Sequence, residues 1–217
     1  GVSKIQKMKR STISLLILSI IAPIFGMAQD STATFTSIEE ALKNPDSVIR
    51  LDLSGQDLDF SLDALKKFKN VEYLSLKDDH LEQLPMELFE LRQLKVLDLS
   101  GNDFSQLPEE FARLDNLEEL YLNNEKRLDL TQTIDVLSRM PNLKSLHLEG
   151  DQINEFPENI FKLDQLEKLY LNDNELEQIP QGIEQMNQLK YLDLQSNPIP
   201  RSIQNTFVPE GNVLIRF

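Results

Sequence analysis

The stretch Leu94-Lys95-Val96-Leu97-Asp98-Leu99-Ser100-Gly101-Asn102-Asp103-Phe104 decides the fold. Its first six residues read L-x-x-L-x-L. The same pattern opens at Val48, Val71, Leu94, Leu117, Leu143, Leu166 and Leu189, at intervals of 23, 23, 23, 26, 23 and 23 residues. A fixed period of this length marks a stacked array of structural repeats rather than a closed globule.

Counting slots from the first aliphatic residue of each copy, slots one, four and six hold 21 aliphatic side chains, 19 of them Leu. Slots four and six alternate with polar residues, the two-residue period of a strand with one buried face. One such strand cannot bury its apolar face alone, so the copies must stack side by side into a parallel sheet with a continuous core behind it. Slot eleven adds Leu58, Leu81, Phe104, Ile153, Leu176 and Ile199. An apolar-Pro step follows at Leu84-Pro85, Leu107-Pro108, Phe156-Pro157 and Ile179-Pro180. Proline fixes φ and removes a donor, which stops the sheet and starts a short convex return. Leu88, Phe111, Ile160 and Ile183, each with an apolar residue three positions on, turn back inward as about one helical turn per copy.

The run L-x-x-L-x-L-x-x-N-x-L followed by L-P-x-x-h-x-x-L resembles the leucine-rich repeat of the 23-residue type, over residues 48–211. That type occurs in intracellular signalling scaffolds of eukaryotes and in many bacterial proteins. The resemblance implies an α/β repeat solenoid: a right-handed horseshoe with a parallel concave sheet and short convex helical or irregular turns. It also implies an asparagine ladder at slot nine. Here slot nine reads Gln56, Asp79, Asn102, Glu125, Asp151, Asn174 and Asn197, so a degraded ladder is expected, with Glu125 its poorest fit. Glu125 lies in the 26-residue copy, which lacks the Leu-Pro step. There Thr133–Arg139 is expected to form a fuller convex helix with Ile134, Leu137 and Val136 turned inward.

Both ends of a solenoid need covers. Ser37 with Glu40 three residues on reads as a capping box within an N-terminal helical segment, 29–47. Residues 212–217 read as an incomplete eighth strand with Ile215 and Phe217 in slots four and six. Residues 1–28 pair a basic start (Lys4, Lys7, Lys9, Arg10) with an apolar run, Ile13 to Phe25, too short to span a bilayer comfortably, then Gly26-Met27-Ala28. This reads as a cleaved signal peptide starting at Met8. With no Cys anywhere, a lipid anchor and the Cys-rich caps of exported animal and plant repeats are both excluded, which favours a bacterial secreted or periplasmic protein. No membrane insertion is expected after cleavage, and the chain is expected to be a monomer.

The net charge of −14 becomes more negative still once the basic leader is set aside. Nucleic acid and anionic membrane surfaces select basic patches, so neither is an expected partner. Acidic turns such as Lys77-Asp78-Asp79-His80 lack the Asp-x-Asp-x-Asp-Gly spacing of a calcium loop, and neither a metal nor any other cofactor is expected.

Slots three, five and seven face the hollow of the curve. All four tyrosines fall there, Tyr73, Tyr121, Tyr170 and Tyr191, and none of the eleven phenylalanines does. Tyr121, His147 and Tyr170 share slot five on consecutive strands, which sets them about 4.8 Å apart in a row. Asp52, Asp98 and Asp193 occupy the same slot on the flanks. These eight residues form the expected partner site, since tyrosine offers rigid amphipathic contact area. The expected partner is a protein; a glycan stacked on the rings, or a structural or adhesive role in a larger assembly, is the alternative. Slot two alternates Glu72, Lys95, Glu118, Lys144, Glu167 and Lys190, which reads as an inter-strand row of ion pairs. Ser145, His147 and Glu149 share one strand face, but alternate strand residues stand ~6.6–7 Å apart, too far for a nucleophile and its base. No catalytic residue is assigned.

Overall fold

The computed structural model describes residues 33–56, 58, 62–209 and 211–217. The leader expected over residues 1–28 lies outside the described residues.

Nine strands form one parallel sheet in chain order: β1 (Thr34–Phe35), β2 (Arg50–Asp52), β3 (Tyr73–Ser75), β4 (Val96–Asp98), β5 (Glu119–Tyr121), β6 (Ser145–His147), β7 (Lys168–Tyr170), β8 (Tyr191–Asp193) and β9 (Leu214–Arg216). From β2 to β8 the register pairs each slot with the same slot of the next copy, as in Leu74↔Leu97 and Leu97↔Leu120. That register is forced, because a slip of one residue would turn every leucine out of the core. All 21 residues of slots one, four and six are buried, most of them completely. Phe68, Phe89 and Phe111 add fully buried rings behind the sheet, Phe89 meeting Phe111 edge to face at 6.1 Å.

The convex returns are single 3₁₀ turns. Met86–Glu90, Glu109–Arg113 and Glu158–Lys162 each start directly after Pro85, Pro108 or Pro157, whose φ of −67, −70 and −66° suits a helix entry. The longer copy carries helix α2 (Leu130–Leu137, with α1 being Ile38–Ala41), capped by Asp129, whose side chain accepts from Gln132 N. Thr133, Ile134, Val136 and Leu137 of α2 are buried.

The turn after each strand is held by two devices. Slot eight is left-handed in every copy: Gly55, Asp78, Gly101, Asn124, Gly150, Asp173 and Ser196 have φ between 57 and 72°. Only Gly, and less easily Asn, Asp or Ser, adopts this region at small cost, which explains the composition of that slot. Slot nine then links copy to copy. Gln56 N donates to Asp79 Oδ1 (2.6 Å), Asp79 N to Asn102 Oδ1 (3.2 Å), Asn102 N to Glu125 Oε1 (2.7 Å), Glu125 N to Asp151 Oδ1 (2.6 Å) and Asp151 N to Asn174 Oδ1 (2.9 Å). The ladder expected to be degraded thus runs unbroken on its accepting side from Gln56 to Asn174, Glu125 included, because any carboxyl or amide oxygen can take the N–H; Asn197 accepts instead from Leu176 N.

Four other features differ from the expectation. The N-terminal segment is not only helical: β1 precedes α1, pairs with β2, and lays Phe35 against the core, since β2 would otherwise present an open edge. Ser37 caps α1 by accepting from Glu40 N, but Glu40 turns away to Lys43, and Ser37 donates instead to Glu39. The seventh copy closes with helix α3 (Arg201–Thr206), which begins directly after Pro200, with Ile203 packed on the core. Among the described residues, the slot-two row resolves into separate pairs rather than a chain. Lys95 meets Glu72 at 3.0 Å and Lys190 meets Glu167 at 2.7 Å, while Lys144 donates to the Gln165 carbonyl.

Candidate functional site

The leucine face of each strand fixes what the opposite face presents. On the central strands that face carries a ring stack. Tyr121 and His147 lie 3.9 Å apart between ring centroids at 17°, and His147 and Tyr170 lie 4.1 Å apart at 7°. Tyr191 closes the row at 5.2 Å from Tyr170, tilted by 47°. The spacing is the strand spacing, drawn slightly closer so that the rings touch. The four tyrosines are half-buried and His147 is buried, so the row stands on the sheet without entering the core.

Carboxylates lock the row from both sides. His147 Nε2 meets Glu119 Oε1 at 3.0 Å and its Nδ1 meets Glu149 Oε1 at 3.1 Å. Both ring nitrogens are thus engaged by carboxylate oxygens, which fixes the ring between β5 and the end of its own strand. Tyr121 OH donates to the same Glu119 oxygen at 2.8 Å, and Tyr191 OH donates to Asp193 Oδ2 at 2.7 Å. Burial, then the neighbouring carboxylates, push the Tyr121 phenol well up. Burial, then the hydrogen bond to Asp193, raise Tyr191 as well. The phenols stay neutral donors.

Glu119 and Glu149 were not among the sequence-derived site residues. Slots three and seven are the diagonal neighbours of slot five, so the signal was present in the slot table. Long side chains lean along the strand, which is how His147 reaches Glu149 two residues away. The strand spacing of ~6.6–7 Å therefore does not keep His147 from Glu149, although no hydrogen bond joins Ser145 to His147 among the described residues. Ser145 still gains no base, because both ring nitrogens of His147 are engaged by carboxylates.

The three flanking aspartates have local work. Asp52 Oδ1 accepts from Ser54 N (3.1 Å), Asp98 Oδ1 from Ser100 N (2.9 Å) and Asp193 Oδ1 from Gln195 N (3.0 Å). Each caps the turn that follows its own strand. Tyr121, His147 and Tyr170 occupy the slot that does this capping elsewhere and cannot do it. The gap is partly filled from the preceding copies: Asn123 N donates to Ser100 Oγ, and Glu149 N to Asn123 Oδ1. Tyr73 stands apart from the row, with the Arg50 guanidinium 4.1 Å over its ring. The structure thus joins Tyr121, His147, Tyr170, Tyr191 and Asp193 in one cluster, leaving Asp98 beside it and Tyr73 and Asp52 at the N-terminal end.

Copies of one strand-turn unit, stacked in register with rings displayed on the open sheet face, define a solenoid repeat protein. Two adjoining family models, described as a leucine-rich repeat region and a leucine rich repeat, match residues 46–140 and 141–199. The chain belongs to the leucine-rich repeat family. No curated protein sequence matches it. Among solved structures it is similar to a chain of the Toll–Spatzle complex of Drosophila, with 20% identity over 76% of this chain and 22% of that one (TM-score 0.64). It is also similar to internalin C2 of Listeria monocytogenes, with 22% identity over 85% and 75% (TM-score 0.60). A leucine-rich repeat protein of Leptospira interrogans shares 26% identity over 85% and 58% (TM-score 0.54). This chain spans about a fifth of the Toll–Spatzle chain it matches. The family's fold is commonly a protein-binding module and typically non-catalytic. Among the described residues no helix is long and apolar enough to cross a membrane.

Proposed function

We propose that the protein is a non-catalytic binding module that receives a protein partner on its concave face, centred on Tyr121, His147, Tyr170 and Tyr191. The observation that carries this reading is the exchange at slot five. On β2, β4 and β8 an aspartate in that slot caps its own turn, whereas three consecutive copies give the slot to rings and lose the cap. A row of stacked, carboxylate-locked rings on an open face is rigid before contact, which lowers the ordering cost of binding.

The stack also bears on the glycan reading. Sugars pack on open ring faces, and here both faces of His147 and the inner faces of Tyr121 and Tyr170 are already covered. The ring edges and hydroxyl-bearing rims suit a protein surface better. Export, to the periplasm or the medium, is part of the proposal and rests on the basic and apolar character of residues 4–25.

The test is affinity capture from envelope and medium fractions with the wild type, the Tyr121→Ala/Tyr170→Ala double variant and a convex-face variant, Met86→Ser. A captured protein should be lost at least about tenfold with the double variant, the scale of one or two interface anchors, and kept with Met86→Ser. Equal retention by the double variant, with loss in the convex variant, would move the site to the other face. Capture that survives protease digestion of the target would establish the glycan instead.

A further inference from the structure

Asn174 shows what a complete ladder rung does. Its oxygen accepts from Asp151 N and Ile153 N, and its Nδ2 donates to the carbonyls of Leu148 and Leu171, slot six of two adjoining copies. Asn102 does the same for Leu76 and Leu99. Glu125 and Asp151 reproduce only the accepting half. Glu125 Oε1 takes Asn102 N and Asp151 Oδ1 takes Glu125 N, while Glu125 Oε2 and Asp151 Oδ2 are buried without a partner among the described residues. The slot-six carbonyl that lies between these two rungs, Leu122, likewise receives no hydrogen bond among the described residues. Three acceptors on neighbouring rungs therefore lack a donor among the described residues, an arrangement that costs free energy until something supplies hydrogen. Asp79 repeats the pattern at the second copy, with Oδ2 unpartnered.

We propose that Glu125 and Asp151 are held as neutral acids in the folded array and donate to the strand-end carbonyls in place of the asparagine amide, so that the ladder is completed by protons and the solenoid is firmest in mild acid. The surroundings favour the neutral form. Glu125 is pushed up to about 8, by burial first, with Asp151, Asp103 and Asp78 adding repulsion against the N–H of Asn102. Asp151 is pushed up to about 7, by burial first and then Glu149, against the N–H groups of Glu125 and Asn124. Asp79 rises to about 6, by burial first, with Asp78 and Asp52 adding repulsion and the Gln56 N–H and His80 opposing it.

The sign follows from proton counting. Between the ordinary carboxyl range and these raised values the folded chain binds protons that the unfolded chain has released, so stability falls as pH rises. The contribution is whole below about pH 4 and is lost as pH passes through 7 to 8. Each such proton changes the folded-to-unfolded ratio by about tenfold per pH unit inside the window.

Urea unfolding of the full chain at about pH 5 and about pH 8 tests this, comparing wild type, Glu125→Gln/Asp151→Asn, and a surface control of similar charge change, Glu82→Gln/Glu177→Gln. Between the two pH values the wild-type ratio should fall at least about tenfold more than that of the amide variant, with the control behaving as wild type. Should the amide variant fail to fold, carbon-13 NMR of side-chain carboxyls in the wild type gives an independent reading: two resonances should titrate well above the ordinary carboxylate range. An amide variant with the wild type's pH dependence, or carboxyl resonances that all titrate in the ordinary range, would overturn the proposal.

Discussion

His147 is held by four neighbours at once, two rings and two carboxylates. Removing it should cost more than removing any single contact, because Glu119 and Glu149 would be left facing each other across the gap. His147→Ala is expected to destabilise the fold by about 2 kcal/mol, against about 1 kcal/mol for Tyr121→Phe, which keeps every ring and loses one hydroxyl bond. Urea unfolding of both variants decides it, and equal losses would show that the stack does not act as a unit. At this scale the sequence was legible wherever one residue type answers one physical demand. The 21 core slots could be read at once, because only aliphatic side chains fill them. Slots eight and nine were harder, because Gly, Asp, Asn and Ser all tolerate the left-handed turn and Gln, Glu, Asp and Asn all accept an N–H. Glu125 looked like a misfit when judged by family preference, and it is a working rung when judged by its oxygen.

The element whose sequence departs most from the repeat is α2. Where four other copies use proline to begin the return (Pro85, Pro108, Pro157 and Pro180), this one uses Asp129 as a helix cap, accepting from Gln132 N at 3.0 Å. Gln132 then reaches back and braces the preceding copy, accepting from Leu107 N at 3.2 Å and donating to Leu107 O at 2.6 Å. On the far side Asp135 meets Lys162 at 2.7 Å. The three extra residues thus build a strut across three convex turns, which accounts for an insertion here without any ligand. Asp129→Ala should cost about 1 kcal/mol, as the loss of a helix cap does, with a matching loss of helical circular dichroism on heating. An unchanged melting curve would mean that tertiary packing alone holds α2. Its helical character was legible from inward residues at helical spacing, whereas β1 and α3 were not legible as elements. Two residues, Thr34 and Phe35, are too few to show an alternation. Arg201–Thr206 contains a single inward aliphatic, Ile203, and owes its helix to Pro200 and to the end of the core it covers.

Among the described residues every strand between β1 and β9 pairs with two neighbours, and β1 and β9 with one. The strand pairings run between adjacent copies, so stability should vary along the array instead of being a single shared quantity. The C-terminal end is the thinner of the two: β9 shows Leu214 largely exposed and joins β8 through bonds such as Leu214 N to Lys190 O. Native-state hydrogen exchange should find the amides of β4 to β6 the slowest and those at β8 and β9 faster by about a hundredfold or more, the spread that local opening produces. A cavity then reads the coupling. Leu120→Ala, at a fully buried central position, should cost about 2–5 kcal/mol and loosen strands on both sides of β5. Leu192→Ala, equally buried beside the end, should loosen β8 and β9 and leave β3 and β4 nearly unchanged. If both variants lowered protection evenly from β2 to β9, the array would open as one cooperative body, and the concave row would share its fate with the ends. If the expected gradient holds, the ring row on β5 to β7 sits on the part of the sheet that opens least, where a preformed surface is best kept.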